Sequence, residues 1–220
     1  MSRIELVIFD CDGVLVDSEP IGNLVLGASL REASVPVDDE TVASLFRGWA
    51  MTSVVAWAER EHGRALGAEF LTRFQDHLFR ALRHGIVSMP GAAETLAALR
   101  LPVCVASSGE PDKMRLSLGL TGLLGRFDGR LFSATQVPRG KPAPDLFLFA
   151  SRAMGVEPER AAVVEDSLAG VEAAIAAGMT VFGYAPEAEH DCSHRQQLAA
   201  AGAKPLNDLR DLPRHVATGG

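Results

Sequence analysis

Five short apolar runs, each bounded by turn-forming residues, limit what this chain can become. They read IELVIFD (4–10), PVCVASS (102–108), GRLFSA (129–134), AAVVEDS (161–167) and TVFGYA (180–185). A strand wetted on one face alternates apolar and polar residues. These runs do not, so they suit strands covered on both faces, as in a parallel sheet with helices above and below. Helical patterns separate them. In GAAETLAALR (91–100), Ala92, Leu96 and Leu99 share a stripe. PDLFLFASRAMG (144–155) begins near a proline and stops at Gly155, while SLAGVEAAIAAG (167–178) has Ser167 placed as N-cap and Gly178 as stop. From residue 90 onward this alternation predicts a doubly wound, Rossmann-like α/β core with a mostly parallel sheet.

Residues 19 to 88 break the rhythm. They hold no convincing strand and about three amphipathic helical stretches, around 20–33, 39–62 and 66–84, with a break expected at Gly48. Such a segment is far longer than an ordinary connection. The expected organisation is therefore an α/β core from residues 1–18 and 88–220, with a helical insert at 19–87. SMPGAAE (88–94) would be the return hinge, and the closing ATGG a frayed tail.

The function classes narrow on charge and cysteine usage. A formal net charge of −7 argues against nucleic acid as the main partner, which needs a dense basic face. No apolar run is long enough for a membrane span, and the N-terminus enters a strand without a signal-peptide core. Cys11, Cys104 and Cys192 form no C-x-x-C pair, which suits reduced thiols in a cytoplasmic protein. A small anionic substrate stays open, because the charge of a site can oppose the global sign. A monomer or weak dimer is expected.

The first run ends as VIFDCDGVLVDSE (7–19), placing Asp10 and Asp12 together at a strand tip. Two crowded carboxylates cost stability unless something positive sits between them. In open α/β sheets, ligands bind beyond the carboxyl ends of the strands. Ser107, Ser108 and Gly109 close a second strand, Glu165 and Asp166 a third, and Lys141 lies in the loop RGKPAPD after a fourth. Of 21 basic residues only Lys113, Lys141 and Lys204 are lysine, so a lysine kept here hints that a compact ammonium is wanted. These groups suit phosphoryl transfer. Carboxylates are the hard ligands Mg²⁺ prefers, Asp10 could attack phosphorus, and Asp12 could exchange protons with the leaving alcohol and the attacking water. Ser107, with Lys141 and a backbone nest at Ser108 and Gly109, would hold the phosphate oxygens.

DCDGVLVDS, strand-terminal Ser107, GKPAPD and VVEDSLAGVEAAIAAGM resemble, in order, the four motifs of the haloacid dehalogenase superfamily of phosphohydrolases. The resemblance implies Asp10 as nucleophile and Mg²⁺ ligand, and Asp12 as acid/base that also binds metal through its backbone carbonyl. It further implies Ser107 and Lys141 as phosphate-binding residues, and Asp166 with Glu165 as metal anchors. The insert falls where that family carries its α-helical cap, whose closure would exclude water. Arg47 and Trp49, around the break in the insert, are candidate substrate contacts, whereas Met51 and Trp57 read more simply as helix core. Asp17 reads as a structural residue at the entry to the insert.

Within the family, Asp12 argues for phosphate chemistry over dehalogenation. A β-phosphoglucomutase-like mutase is the alternative. Such mutases typically carry a histidine where this chain has Gly22 and an arginine where it has Met51, which weakens that reading. A receiver-like phospho-acceptor is weaker still, since it has no use for an Asp-x-Asp acid/base pair or an inserted cap, and the intact set Asp10, Asp12, Ser107, Lys141 and Asp166 argues against an inactive scaffold. FRGWAMTSV and PVCVASSGEPDKM lean toward the hexose-phosphate and 6-phosphogluconate phosphatases, so a small phosphorylated sugar or sugar acid is the expected partner. EHDCSH (189–194), with His190, Asp191, Cys192 and His194, reads as an exposed loop because no second cluster completes a metal site.

Overall fold

The computed structural model describes residues 3–46, 51–186 and 192–217. Contacts divide the chain into two compact units, Met1–Asp17 with Val87–Gly220, and Ser18–Ile86.

In the first unit, β1 (Leu6–Phe9) is followed by the two-residue β2 (Val16–Asp17). The second unit then supplies α1 (Glu19–Glu32), α2 (Asp39–Leu45), α3 (Met51–His62) and α4 (Ala68–Gly85). The first unit resumes at β3 (Val87–Ser88), which pairs antiparallel with β2, Val16 opposite Ser88 and Asp17 opposite Val87. Asp17 is thus a rung of a short ladder at the point of exit and return.

The rest of the first unit runs α5 (Ala92–Ala98), β4 (Val103–Ser107), α6 (Pro111–Leu120), β5 (Leu131–Ser133), α7 (Asp145–Met154), β6 (Ala161–Glu165), α8 (Leu168–Ala176), β7 (Thr180–Tyr184), α9 (Cys192–Ala200), β8 (Lys204–Leu206) and α10 (Leu212–Ala217). Six strands form one sheet in the order β5-β4-β1-β6-β7-β8, with every pairing parallel. Leu6 and Ile8 face a cluster with Leu146, Phe147 and Ala150 of α7 and Val171 and Ala174 of α8. The alternate residues Val7 and Phe9 are equally buried, and Phe9 meets Phe127 edge to face at 6.3 Å. Both faces of β1 are covered, which explains the unbroken apolar run.

The chain builds outward from β1 to β4 and β5, then returns to lay β6 on the other side of β1. The strand order therefore reverses at β1, and the crevice beyond its carboxyl end is the topological switch point of the sheet.

The helical unit has its own core of Leu26, Leu30, Val42, Phe46, Val54, Ala58 and Phe70, with Met51, Trp57 and Phe74 packed against it. Trp57 meets Phe46 edge to face at 4.9 Å. Asp38 caps α2 by accepting the Thr41 backbone N–H at 2.7 Å. The stretch 39–62, read with a break at Gly48, holds two helices, α2 and α3. Gly48, Arg47 and Trp49 lie outside the described residues.

Candidate active site

Asp10 follows the last residue of β1, its backbone N–H bonded to Val164 O at 3.0 Å. Its carboxylate is almost sealed from water and accepts a hydrogen bond from Lys141 Nζ at 2.6 Å. Burial pushes the Asp10 carboxyl up to about 7, Lys141 opposes that rise, and neighbouring Glu165 and Asp12 add to it. The Lys141 ammonium also bonds Glu165 Oε1 and lies 5.0 Å from the centre of the Phe147 ring. Burial alone would pull Lys141 below its usual value; its two carboxylate partners hold it above.

Lys141 reaches this spot from the loop between β5 and α7. Arg139 straps that loop with two hydrogen bonds to Asp145, 3.1 and 2.9 Å long. Glu165, the last residue of β6, has both oxygens engaged. Beyond Lys141 on Oε1, its Oε2 accepts from the Ser167 backbone N–H at 2.8 Å and from Ser167 Oγ at 2.9 Å. Its carboxylate rests on the first turn of α8 at Gly170, where a Cβ would overlap it.

Asp12 sits in a tight turn closed by Gly13 N–H on Val16 O at 2.9 Å. Its Oδ1 accepts from Lys113 Nζ at 2.8 Å, across a sequence separation of 101. Burial lowers the Lys113 ammonium, but Asp12 beside it outweighs that and holds it above its usual value. Between the two acids, the buried Cys11 thiol is pushed well up by burial and by both carboxylates, so it is not a nucleophile at neutral pH.

Ser107 ends β4, buried, with its Oγ accepting the Gly109 N–H at 3.1 Å. Across the β4–β5 ladder Ser133 faces Ser107 and donates its hydroxyl to Gly109 O at 2.8 Å. The turn 107–109 is therefore held from both sides, while Ser108 is exposed. A Cβ at Gly109 would lie 3.4 Å from Asp12 Oδ2 and 3.5 Å from Ser107 Oγ, which puts this turn beside Asp12.

Asp166 completes the edge. Its carboxylate lies against Gly13, whose φ of +78° favours glycine and where a Cβ would overlap Asp166 Oδ2. His194 Nε2 donates to Asp166 O at 2.8 Å. His194 therefore does not belong to an exposed loop as the sequence pattern suggested: it is half-buried in α9 and tied to the β6–α8 turn. Of that cluster, Cys192 is exposed, and His190 and Asp191 lie outside the described residues.

The profile of the haloacid dehalogenase-like hydrolases matches residues 4–178, a span that contains every strand end just described. The chain belongs to this family. The 6-phosphogluconate phosphatase of Escherichia coli strain K12 is 37% identical over 216 residues, covering 97% of this chain and 95% of that protein. A haloacid dehalogenase-like protein from Agrobacterium tumefaciens superposes with a TM-score of 0.83 at 34% identity, covering 97% and 98% of the two chains. A family hydrolase from Deinococcus radiodurans, solved with bound phosphate and sodium, gives 0.79 at 32% identity over 99% and 98%.

In this haloacid dehalogenase-like hydrolase, the fold brings Asp10, Asp12, Ser107, Gly109, Lys141, Glu165 and Asp166 to one edge of the sheet. Lys113, Ser133 and His194 join them without having been foreseen as site residues. The only advance sign of Lys113 was the scarcity of lysine; the pattern around His194 suggested an exposed loop, and Ser133 carried no sign. Arg47 and Trp49, expected as substrate contacts, lie outside the described residues.

Proposed function

We propose that this hydrolase is a Mg²⁺-dependent phosphomonoesterase that removes phosphate from a small phosphorylated sugar or sugar acid through an aspartyl-phosphate. The observation that carries the reading is the Asp10 carboxylate, held 2.6 Å from a buried ammonium at the topological switch point with Asp12 two residues on. The relative named a 6-phosphogluconate phosphatase supports the substrate class.

The residues fit a hard cation. Mg²⁺ takes one or two protein carboxylates and leaves its other positions to water and substrate phosphate. Asp10, Asp166 and the Asp12 backbone carbonyl would hold it, and its charge would polarise the phosphoryl group. Among the described residues no three His, Cys, Asp or Glu side chains gather into a group that could hold a metal ion, so the set proposed here includes a backbone carbonyl. Glu165 is left out of this set, because Lys141 and Ser167 occupy both its oxygens.

Asp10 attacks phosphorus as the bond to the sugar oxygen breaks, and Asp12 gives that oxygen a proton. Water then attacks phosphorus, Asp12 takes its proton, and the bond to Asp10 breaks to release phosphate. Lys141 orients Asp10 and, with Ser107 and the nest at Ser108 and Gly109, offsets the negative charge of the phosphoryl oxygens. The helical unit acts as a cap in this reading, with Arg47 and Trp49 as substrate contacts. The enzyme works in the cytoplasm as a monomer or weak dimer; no described helix is long and apolar enough to cross a membrane.

The test is inorganic phosphate release from 6-phosphogluconate, hexose and pentose phosphates, phosphoglycolate, β-glucose 1-phosphate and a nucleotide, with Mg²⁺ and with chelator. Metal-dependent release favouring one sugar phosphate supports the reading. Conversion of β-glucose 1-phosphate to the 6-phosphate without release would make the protein a mutase.

A further inference from the structure

Two of the chain's three lysines end on the two acids of the β1 tip, Lys141 on Asp10 and Lys113 on Asp12. We propose that Lys113 is a positioning residue: it fixes the Asp12 carboxylate in the orientation from which Asp12 trades protons with the ester oxygen and with water. The inference rests on the phosphomonoesterase reading and adds to it a residue that reading does not use.

The geometry carries the argument. The Lys113 and Asp12 side chains keep 22% and 26% of their exposure, so the pair is neither sealed in the core nor spread on the open surface. An ion pair this accessible adds little stability, which leaves orientation as its larger effect. Lys113 stands in the first turn of α6, which starts at Pro111 directly after the turn 107–109. Its Cδ lies 3.8 Å from where a Gly109 Cβ would be, so the side chain passes beside the same turn proposed to hold phosphate. Asp12 Oδ1 goes to Lys113, and Oδ2 is the oxygen on the Gly109 side.

An aspartate χ2 torsion is broad and roughly two-fold when nothing holds it. Tethering one oxygen to a charged donor leaves the other on the Gly109 side, beside the turn proposed to hold the phosphoryl group. As Asp12 releases its proton to the ester oxygen it gains negative charge, and an ammonium already in place meets that charge without rearranging. Lys113 keeps its own protons throughout. The proton that moves starts on Asp12, goes to the leaving alcohol, and is replaced from water in the second step.

The experiment compares Lys113→Met, Lys113→Gln and Lys113→Arg on two esters: the fastest sugar phosphate of the panel, whose alkoxide needs a proton to leave, and p-nitrophenyl phosphate, whose phenolate does not. The expected result for Met and Gln is a fall in kcat of about 100-fold on the sugar phosphate, with KM little changed. The p-nitrophenolate burst should fall by less than about tenfold, and arginine should recover most of the loss. Equal losses on both esters, or a loss confined to KM, would overturn the proposal, the latter by making Lys113 a direct substrate contact. If one neutral variant does not fold, the other is read by the same ratio.

Should the wild-type protein release no phosphate from any ester, the phosphomonoesterase reading fails. Crystal structures of the wild type and Lys113→Met then decide the positioning claim. An Asp12 carboxylate that turns away in the variant supports it, and an unmoved one overturns it.

Discussion

Lys141 Nζ stands 2.6 Å from Asp10 Oδ1 with Glu165 on its other side, and all three side chains are nearly sealed from water. One ammonium is thus the shared counter-ion of two buried carboxylates. Removing one member of a buried pair leaves a charge without compensation, at a cost of about 3–5 kcal/mol. Lys141→Met should destabilise the protein by about that amount in urea unfolding and lower kcat by about 100-fold or more. A variant as stable as the wild type would show that Asp10 and Glu165 do not depend on Lys141.

Asp10→Asn separates chemistry from folding. Burial already resists ionisation of this carboxyl, and Lys141 keeps Glu165 as a partner when Asp10 is neutral. Turnover should drop by about a thousandfold or more, while the melting temperature holds or rises. Substantial activity at an unchanged melting temperature would sink the nucleophile assignment.

The central strands were legible because they are buried on both faces: β1, β4, β6 and β7 lie inside the runs that announced them. β8 was not, because Lys204 and Pro205 are exposed at the edge of the sheet and only Leu206 is buried. α6 was missed because Pro111–Leu120 mixes charged, small and apolar residues, burying only Met114, Ser117 and Leu118. The site divides the same way. Asp10, Asp12, Ser107, Lys141, Glu165 and Asp166 each sit at a strand end or in the loop beyond it, so finding the strands found them. Ser133 also ends a strand, but it, Lys113 and His194 meet the site through neighbours that strand order and helix placement bring close. The sequence separation of 101 between Lys113 and Asp12 leaves no local trace of their contact.

Metal binding should depend on pH in a stated direction. The Asp10 carboxyl rises from an ordinary 3.8 when unfolded to about 7 when folded. A raised carboxyl contributes stability that is fully present below the unfolded value and is lost as pH climbs through the folded one. Without a cation, this group therefore weakens the fold progressively between about pH 4 and pH 7. A divalent cation relieves that loss, so millimolar Mg²⁺ should raise the melting temperature more at pH 7.5 than at pH 4.5. At 100 times the dissociation constant it adds about 2.7 kcal/mol. No shift at pH 7.5 counts against the metal site, and equal shifts at both pH values count against Asp10 as the linked group.

Gly13 and Gly122 offer a matched pair of substitutions. Both have positive φ, +78° and +75°, so alanine strains either backbone by about 1–2 kcal/mol. They differ in what a Cβ would meet. At Gly122 nothing lies within 4 Å, whereas at Gly13 the new methyl would overlap the Asp166 carboxylate. Gly122→Ala should therefore lower stability alone, leaving the Mg²⁺ concentration for half-maximal activity unchanged. Gly13→Ala should lower stability further and also raise that concentration by about tenfold or more, as expected when a group that orients a metal ligand is disturbed. Differential scanning fluorimetry and Mg²⁺ titration of phosphate release measure the two effects side by side. If Gly13→Ala bound Mg²⁺ as the wild type does, Asp166 would not be the carboxylate that anchors the cation.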